Sequence, residues 1–359
     1  MVIPSCSSSK TRRNYKIMCV DYSKLTDKTI KDTYPLPRID ASFSYLAGAK
    51  YYTIVDAASG FWQIPVHEND QEKLAFCTTF GAYHWKVMPF GFTNAPSIFQ
   101  RAMNETLNGE LFKCCLVYID DIIIYSKSFD QHIDDCDRVF ALIKKFNWKL
   151  KFKKSRFAQI KIEFLGHVIT DSKVTVLDKN IQKIKNMKRP KNIKETQQFL
   201  GMINYYRRFI QGLSYITEPL LINLRNKGEY IWGKDQEESF IEIISKLCLN
   251  PILRLPDDSK QYILKTDASA IGFGGALVQI HKKLEHPVSF FSGTFLPNQR
   301  KAWNHWQREA FAVINGIKRY HHHLINQKFK VVTDNESLLT LIKPKTNLTN
   351  HMIDRWRLF

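Results

Sequence analysis

Acidic residues stand at the ends and bends of apolar, β-branched runs in this chain, and this arrangement limits the folds that it can adopt. The run at 51–55 ends in Asp56, and two later runs are joined by Asp120 and Asp121. A carboxylate beside buried strands is costly to desolvate without a counter-charge, and no arginine or lysine stands close to these acids in the sequence. We therefore expect the three acids to share a hard divalent cation such as Mg²⁺.

The aspartate pair also has a simpler interpretation, because aspartate is an ordinary turn residue. The apolar runs at 114–119 and 122–125 predict a β-hairpin with Asp120 and Asp121 at its bend. The pair alone therefore leaves a structural turn and a metal site both open.

Periodicity predicts other elements in the first two hundred residues. It indicates a hairpin with Gly81 and Ala82 at its turn, a helix over 94–103 and a helix over 192–210. A further helix is predicted over 130–146 from apolar residues at helical spacing, namely Ile133, Cys136, Phe140 and Ile143.

The last hundred residues again place acids after strands. A predicted strand at 262–266 ends in Asp267 and another at 329–333 ends in Asp334, with a predicted helix over 306–323 between them. A glycine-rich return is expected after the first of these strands, at Gly272, Gly274 and Gly275.

The charge of the chain indicates a polyanionic partner. Lysine and arginine number 53 against 34 acidic residues, a formal net charge of +19. Between Lys144 and Lys194 there are 16 basic and 3 acidic residues, which a solvated basic face would also explain. No apolar run is long enough for a membrane span and no signal peptide is predicted, so nucleic acid is favoured over an acidic membrane.

Cysteine and histidine usage gives no sign of a disulfide framework or a zinc site. The seven cysteines form no C-x-x-C pair, which favours a reducing compartment over secretion. Three consecutive histidines at 321–323 do not converge on a helix and have no zinc-ligand partner at a suitable spacing. We therefore expect an intracellular protein.

Ordered motifs in the first half resemble the palm of reverse transcriptases. They are DAASGFWQI at 56–64, MPFGFTNAPS at 88–97 and YIDD at 118–121. Others resemble gypsy-type LTR retrotransposon polymerases in particular, namely VDY at 20–22, YPLP at 34–37, FLGH at 164–167, FLG at 199–201 and YYRRF at 205–209. The resemblance implies an α+β right-hand polymerase with fingers, palm and thumb, followed by an α/β ribonuclease H-like domain.

Residue by residue, the resemblance implies that Asp56, Asp120 and Asp121 form the metal-binding triad of a polymerase palm. Neighbouring side chains on extended backbone point apart, so Asp56 and Asp120 are expected as direct ligands. Asp121 is expected to support them.

The resemblance also assigns residues to the nucleotide and the nucleic acid. Phe61 would lie under the nucleotide sugar, where a ring leaves no space for a 2′-hydroxyl, although a core aromatic is the alternative. Phe90 and Gly91 would lie beside the incoming nucleotide, and Gly166 and His167 would belong to the strand that holds the primer end. The basic stretch could follow a phosphate backbone, or remain solvated surface, through Lys149, Lys151, Lys153, Lys154 and Arg156.

Three later motifs resemble a ribonuclease H domain, namely TDAS at 266–269, REAFAV at 308–313 and VTDN at 332–335. They imply that Asp267, Glu309 and Asp334 are metal ligands for hydrolysis of RNA in an RNA/DNA hybrid, with water as the nucleophile. Without its flanking strands, Glu309 would be interpreted as a solvated helix residue.

The resemblance departs from the family pattern at both ends. An arginine usual before the VDY motif is missing, Ser23 stands where another is usual, and the chain stops before the last acidic motif of a ribonuclease H fold. We therefore expect both ends to be truncated. The predicted domains are partial fingers with palm at 1–170, thumb and connection at 171–255, and the ribonuclease H-like domain at 256–359.

The predicted activity is RNA-directed DNA synthesis with two Mg²⁺ or Mn²⁺ ions per active site, together with endonucleolytic ribonuclease H activity. The expected partners are an RNA or DNA template with primer, an RNA/DNA hybrid and deoxynucleoside triphosphates, with no membrane partner. The alternative is a decayed or domesticated element that binds nucleic acid without catalysis. The resemblance implies a cytoplasmic virus-like particle, with the nucleus as a second location.

Overall fold

The computed structural model describes residues 20–170, 172–225, 230–249, 251–325, 327–335 and 338. The chain divides into two compact units, the first ending at Ile162 and the second beginning at Glu163. Parts of the predicted first and last domains lie outside the described residues, and the predicted domain boundaries at 170 and 255 stay predictions. No helix within the described ranges is both long enough and apolar enough to cross a membrane.

The first unit is built on a four-stranded antiparallel sheet in the order β4-β5-β1-β6, with a separate hairpin of β2 and β3. Its strands are β1 (Tyr51–Asp56), β2 (Phe76–Thr78), β3 (Gly81–Tyr83), β4 (Cys115–Tyr118), β5 (Asp121–Ser126) and β6 (Arg156–Gln159). Its helices are α1 (Ser23–Thr26), α2 (Ile39–Tyr45), α3 (Glu68–Gln71), α4 (Ala95–Thr106) and α5 (Phe129–Lys145). Short 3₁₀ turns occupy Gly60–Gln63, Glu72–Leu74 and Phe152–Lys154.

Helix α4 supplies the centre of the first core. It begins after Asn94 with a proline in its first turn, as the sequence predicts, and it buries Phe99 and Met103 completely or nearly so. The Phe99 ring meets Phe61 edge-on at 5.7 Å and Trp148 at 5.4 Å between centroids. The packing of α4 therefore reaches the segment that follows Asp56.

Both predicted hairpins are present, but their turns lie elsewhere. Tyr118 pairs with Asp121, so the loop is Ile119 and Asp120, and Asp121 is the first residue of β5. In the second hairpin Thr78 pairs with Gly81, so the turn is Thr79 and Phe80 rather than Gly81 and Ala82. The pairing of the strands determines which residues form each turn, and the residue types alone do not reveal that pairing.

Helix α5 forms at the predicted place but buries a different face. Ile133 is 48% exposed, whereas His132 and Asp135 are buried. The His132 ring hydrogen-bonds Thr53 at 2.7 Å and Ser126 at 3.0 Å, so it can be buried without losing its polar contacts. An apolar periodicity cannot detect a buried face that carries such polar residues.

The second unit contains two four-stranded sheets, in the orders β10-β9-β8-β7 and β13-β12-β11-β14. The strands are β7 (Lys161–Phe164), which crosses the boundary between the units, β8 (His167–Thr170), β9 (Lys173–Val176), β10 (Leu253–Arg254), β11 (Tyr262–Ala268), β12 (Gly272–His281), β13 (Leu284–Thr294) and β14 (Lys330–Val332). The helices are α6 (Asp178–Lys185), α7 (Ile193–Tyr205), α8 (Leu213–Ile216), α9 (Glu218–Arg225), α10 (Lys234–Cys248), α11 (Pro297–Ala302), α12 (His305–Arg319) and α13 (His321–Leu324).

In the β13-β12-β11-β14 sheet, β11 is antiparallel to β12 and parallel to β14. Helix α12 packs on β11 and β12. Both predicted strands form, but β11 continues through Asp267 to Ala268 and β14 ends at Val332. The helix between them is confirmed, except that it stops at Arg319 and restarts as α13. The expected glycine-rich return is present as the start of β12, antiparallel to β11, in which Gly272, Gly274 and Gly275 are paired residues.

The predicted helix over 192–210 is shorter in the structure. Helix α7 ends at Tyr205, and a 3₁₀ turn follows at Arg207–Phe209.

Replacing Phe99 with alanine should lower the free energy of unfolding by about 3–5 kcal/mol, because the fully buried ring would leave a cavity at the centre of the first core. Urea denaturation followed by tryptophan fluorescence would measure the change. The matched control is Phe80→Ala, whose ring is 90% exposed and whose loss should cost at most about 0.5 kcal/mol. Equal costs for the two variants would contradict this account of the core.

Candidate active sites

The structure brings Asp56, Asp120 and Asp121 to one end of the first sheet. Asp56 is the last residue of β1 and pairs with Asp121, so their Cα atoms lie about 4.5–5.5 Å apart. Asp120 lies in the loop between β4 and β5, and its carbonyl oxygen accepts a hydrogen bond from the Ala57 N–H. We call these three residues the first carboxylate cluster.

A buried glutamine on α4 holds the loop that carries Asp120. The Gln100 side chain is fully buried, accepts a hydrogen bond from the Ile119 N–H at 2.8 Å and donates one to the Val117 carbonyl at 3.1 Å. Ile119 has a φ of 52°, an unfavourable backbone angle for a β-branched residue, so this bond helps to fix a strained turn. The sequence analysis missed Gln100, although a glutamine on the buried face of α4 was the available signal.

Gly60 leaves the space that Asp120 needs. A Cβ atom at this position would lie 2.7 Å from the Phe99 ring and 2.9 Å from Asp120 Oδ1. Any larger residue would therefore displace the carboxylate or the core ring beneath it.

Lys154 provides a counter-charge that the sequence analysis did not expect. Its ammonium group donates to Asp56 Oδ2 at 2.8 Å, and this contact raises the pKa of Lys154. Lys154 is 98 positions from Asp56 in the sequence, so the absence of a basic residue close to these acids along the chain did not reveal this contact. Lys154, predicted to follow a phosphate backbone, lies at the carboxylates in this structure.

The remaining negative charge is poorly compensated. Burial raises the pKa of Asp120 and of Asp121, and the nearby Asp56 charge raises both further. Asp120 Oδ1 is buried without a hydrogen-bond partner among the described residues. An all-oxygen donor set with an unsatisfied buried oxygen fits a hard divalent cation.

Two of the residues assigned to the nucleotide, Phe61 and Phe90, pack against each other. Phe61 is half-buried, and its ring lies 5.3 Å from Phe90 and 5.7 Å from Phe99. It therefore packs against the core while part of the ring stays exposed, which is consistent with either sequence interpretation. Gly91 has a φ of +90°, and a Cβ there would lie 3.2 Å from the Val20 carbonyl oxygen.

The basic stretch runs along the segment that follows Asp56. The Asp56 carbonyl accepts a hydrogen bond from Lys151 N–H, and the Lys149 carbonyl accepts one from Ala58 N–H, both at 2.8 Å. Gln63 adds side-chain bonds to both backbone groups of Lys149, at 2.7 and 3.0 Å. The exposed basic residues of this stretch include Lys149, Lys151, Lys153, Lys154 and Arg156.

The two residues assigned to the primer strand lie in the second unit. Gly166 is in the turn between β7 and β8, and Asn180 donates to its carbonyl at 3.4 Å. His167 is 1% exposed, with its ring within 6 Å of the rings of Tyr205, Tyr206 and Phe209. The structure thus gives the His167 ring a packing role, and the assignment of its strand to the primer end stays a prediction.

A second carboxylate group forms where β11 and β14 run side by side. The last pair of these parallel strands is Lys265 with Val332, and Asp267 and Asp334 each lie two residues beyond it. Equal offsets from a paired position place the two acids at the same edge of the sheet.

Glu309 reaches this edge from α12. Its side chain is fully buried, and Oε1 accepts a hydrogen bond from Ala268 N–H at 2.9 Å. Oε2 is buried with no partner among the described residues. Burial raises the pKa of Glu309 to about 7, with the charges of Asp334 and Asp267 as further causes.

His305 joins this group, and the sequence analysis missed it. Ligand atoms of His305, Glu309 and Asp334 all lie within 4.8 Å of one another. Among the described residues, neither Asp267 nor the first carboxylate cluster belongs to a grouping this close. Asp267 still acts on the pKa of Glu309. The sequence signal was a histidine four residues before Glu309, on the same face of a helix. We call His305, Glu309 and Asp334 the second cluster.

Two known families match this chain, one over the stretch that carries the first carboxylate cluster and one over the stretch that carries Asp267 and Glu309. Residues 4–169 match the family described as reverse transcriptase (RNA-dependent DNA polymerase). Residues 4–169 therefore carry a reverse transcriptase domain. Residues 232–331 match the RNase H-like domain found in reverse transcriptase. Members of the reverse transcriptase family generally use divalent metal ions.

Curated relatives are polyproteins of retrotransposons. The chain is 34% identical over 357 residues to the retrovirus-related Pol polyprotein from transposon 297 of Drosophila melanogaster, covering 99% of the chain and 33% of that protein. It is 33% identical over 345 residues to the transposon Tf2-3 polyprotein of Schizosaccharomyces pombe, covering 95% of the chain and 26% of that protein. The chain thus spans about a third of the length of these relatives.

Solved structures share the fold. A foamy viral protease-reverse transcriptase in complex with double-stranded DNA has a TM-score of 0.83 at 22% identity, covering 100% of this chain and 63% of that one. Another, in complex with an RNA/DNA hybrid, has a TM-score of 0.77 at 21% identity, covering 96% and 47%. The right-hand polymerase followed by a ribonuclease H-like domain is therefore confirmed as the fold class.

The raised pKa of Glu309 predicts a pH-dependent stability. Below the ordinary glutamate pKa of 4.5, the Glu309 carboxyl is protonated in both the folded and the unfolded state, and stability is greatest. As the pH rises from there through about 7, the unfolded state ionises first, so the free energy of unfolding falls. In metal-free buffer, Glu309→Gln should therefore be more stable than the parent by about 2–3 kcal/mol at pH 8. The two proteins should converge near pH 5, as measured by denaturation at each pH.

The control for this prediction is Glu242→Gln, which changes an exposed glutamate on α10 and should follow the parent at every pH. A constant difference between Glu309→Gln and the parent across this pH range would show that the Glu309 carboxyl is not destabilised by its surroundings.

Proposed function

We propose that this chain is an RNA-directed DNA polymerase that extends the 3′-hydroxyl of a primer with deoxynucleotides on an RNA or DNA template. The observation that carries the proposal is the first carboxylate cluster, in which Asp120 and Asp121 are crowded by Asp56 at the end of a buried sheet. The match of residues 4–169 to the reverse transcriptase family and the similarity to retrotransposon polyproteins support it.

We infer that the cluster holds a pair of Mg²⁺ ions, with Asp56 and Asp120 as the direct ligands and Asp121 in support. When bound, two such ions activate an attacking hydroxyl and stabilise charge on the leaving oxygen. Gln100 keeps the Asp120 loop in place, and Gly60 leaves room for its carboxylate. These contacts fix the carboxylates before substrate arrives, which limits the reorganisation that the reaction requires.

Lys154 has two states in this proposal. Without a divalent cation it neutralises Asp56 through Oδ2. A cation at Asp56 competes for that oxygen, and the released ammonium group can then contact a phosphate oxygen. In this proposal Lys154 pairs with Asp56 before a cation binds and contacts phosphate afterwards.

The surroundings suit a primed template. Lys149, Lys151 and Lys153 are exposed on the stretch that is bonded to the backbone beside Asp56, so a phosphate backbone on them would pass close to the carboxylates. Such binding carries no sequence preference and should weaken steeply with salt. Phe61, beside Phe90, is placed to exclude a 2′-hydroxyl and so to favour deoxynucleotides.

Replacing Asp120 with asparagine should reduce incorporation of dTTP on poly(rA)/oligo(dT) by at least about 100-fold, because the change keeps the size of the side chain and removes its charge. Primer extension with Mg²⁺ and, separately, with Mn²⁺ would measure it. The matched control is Asp134→Asn, at an exposed position on α5, which should extend primers like the parent.

Undiminished incorporation by Asp120→Asn would reject this active site. If the parent bound a primed template but incorporated no nucleotide with either cation, binding without catalysis would replace polymerisation as the function.

A second activity, hydrolysis of RNA in an RNA/DNA hybrid, is favoured by one observation in the second unit. Glu309 is fully buried with an unsatisfied Oε2 beside Asp334, an arrangement that costs free energy unless a cation is bound. The RNase H-like family match covers Asp267 and Glu309. We infer that Glu309 and Asp334, with Asp267, hold divalent cations, which when bound activate water toward a phosphodiester.

Glu309→Gln should abolish release of fragments from an RNA strand labelled within an RNA/DNA hybrid, since the amide cannot supply the negative charge that a cation requires. Gel analysis of the products would measure this, with Glu242→Gln as the control that retains activity. Primer extension by Glu309→Gln should be unchanged. Hybrid cleavage that survived in Glu309→Gln would refute the assignment.

A further inference from the structure

The second cluster contains a nitrogen donor, unlike the first. His305 is the first residue of α12, whose start is fixed by reciprocal bonds between Asn304 and Gln307 at 2.9 and 3.0 Å. Glu309 follows one turn later on the same face. One ring nitrogen of His305 lies within 4.8 Å of a carboxylate oxygen of both Glu309 and Asp334.

The second cluster also contains an oxygen that lacks a partner. Glu309 has no exposed surface, and its Oε1 is committed to Ala268 N–H. Oε2 has no hydrogen-bond donor among the described residues. A buried carboxylate oxygen without a hydrogen-bond donor is stabilised by a cation bound next to it.

We propose that the second cluster binds a first-row transition cation such as Zn²⁺, with an imidazole nitrogen of His305 as one ligand and the carboxylates of Glu309 and Asp334 as the others. Imidazole is a good ligand for such cations, whereas Mg²⁺ prefers oxygen ligands and retains its waters. The inference deepens the proposed ribonuclease H site, on whose carboxylates it rests. It adds a ligand that makes the second cluster more selective for transition cations than the first.

The test measures cation binding rather than activity. The full chain carrying Asp120→Asn, which weakens the first carboxylate cluster, would be titrated with Zn²⁺ and with Mg²⁺ by calorimetry. Adding His305→Ala should weaken Zn²⁺ binding at the second cluster by about tenfold or more and change Mg²⁺ affinity by less than about twofold. Co²⁺, a coloured substitute for Zn²⁺, should lose intensity in its visible bands in the same variant.

Two further variants keep the result interpretable. His321→Ala removes an exposed histidine at the start of α13 and should leave Zn²⁺ affinity unchanged. His305→Asn keeps a polar side chain at the helix start, so that a loss of affinity shared with His305→Ala reflects the missing imidazole. Circular dichroism would confirm that each variant is folded.

The outcomes separate this inference from the proposed function. If His305→Ala binds Zn²⁺ like the parent while Glu309→Gln does not, His305 is no ligand and the inference fails, but the carboxylate site stands. If Glu309→Gln also leaves both cations bound as before, the carboxylate site fails with it. Equal weakening of Zn²⁺ and Mg²⁺ by His305→Ala would also overturn the inference, because the ring would then give no selectivity.

Discussion

Repulsion between carboxylates at the edge of a buried sheet is the constraint on which both candidate sites depend. Burial is the largest cause that raises the pKa of Asp120, Asp121 and Glu309, and the charges of neighbouring acids add to it, Asp56 in the first group and Asp334 in the second. The fold offsets this cost only in part, since one buried oxygen in each group has no hydrogen-bond partner within the part of the chain that the structure describes. Each unit thus gives up stability to keep acids close together, as expected where a fold serves a site.

Local patterns were sufficient to predict much of the framework. The apolar run before Asp56, the proline near the start of α4 and the helical spacing of α5 all predicted elements that the structure contains. The acids that follow apolar strand patterns were also predictable, because residues near the end of a strand lie at the edge of the sheet. The turn at Asp120 was placed one residue late, since inter-strand pairing, not composition, determines which residues form the loop.

Residues that act across long stretches of sequence could not be predicted. Lys154 reaches Asp56 from 98 positions away, and nothing near either residue signals the contact. Gln100 and His132 were missed because hydrogen bonds satisfy them inside a core, and an apolar pattern treats such residues as surface. His305 was missed because motif similarity pointed to carboxylates alone, although its spacing from Glu309 was visible.

The register of β1 with β5, and of β11 with β14, has a consequence for the order of folding. In each case the paired strands are separated by a long stretch of chain that includes other elements, so closing the loop costs entropy before the acids meet. The sheet edges are therefore late products of folding. During synthesis on the ribosome, the acids of the first group therefore stay apart until β5 has emerged and paired with β1. Those of the second group stay apart until β14 has paired with β11.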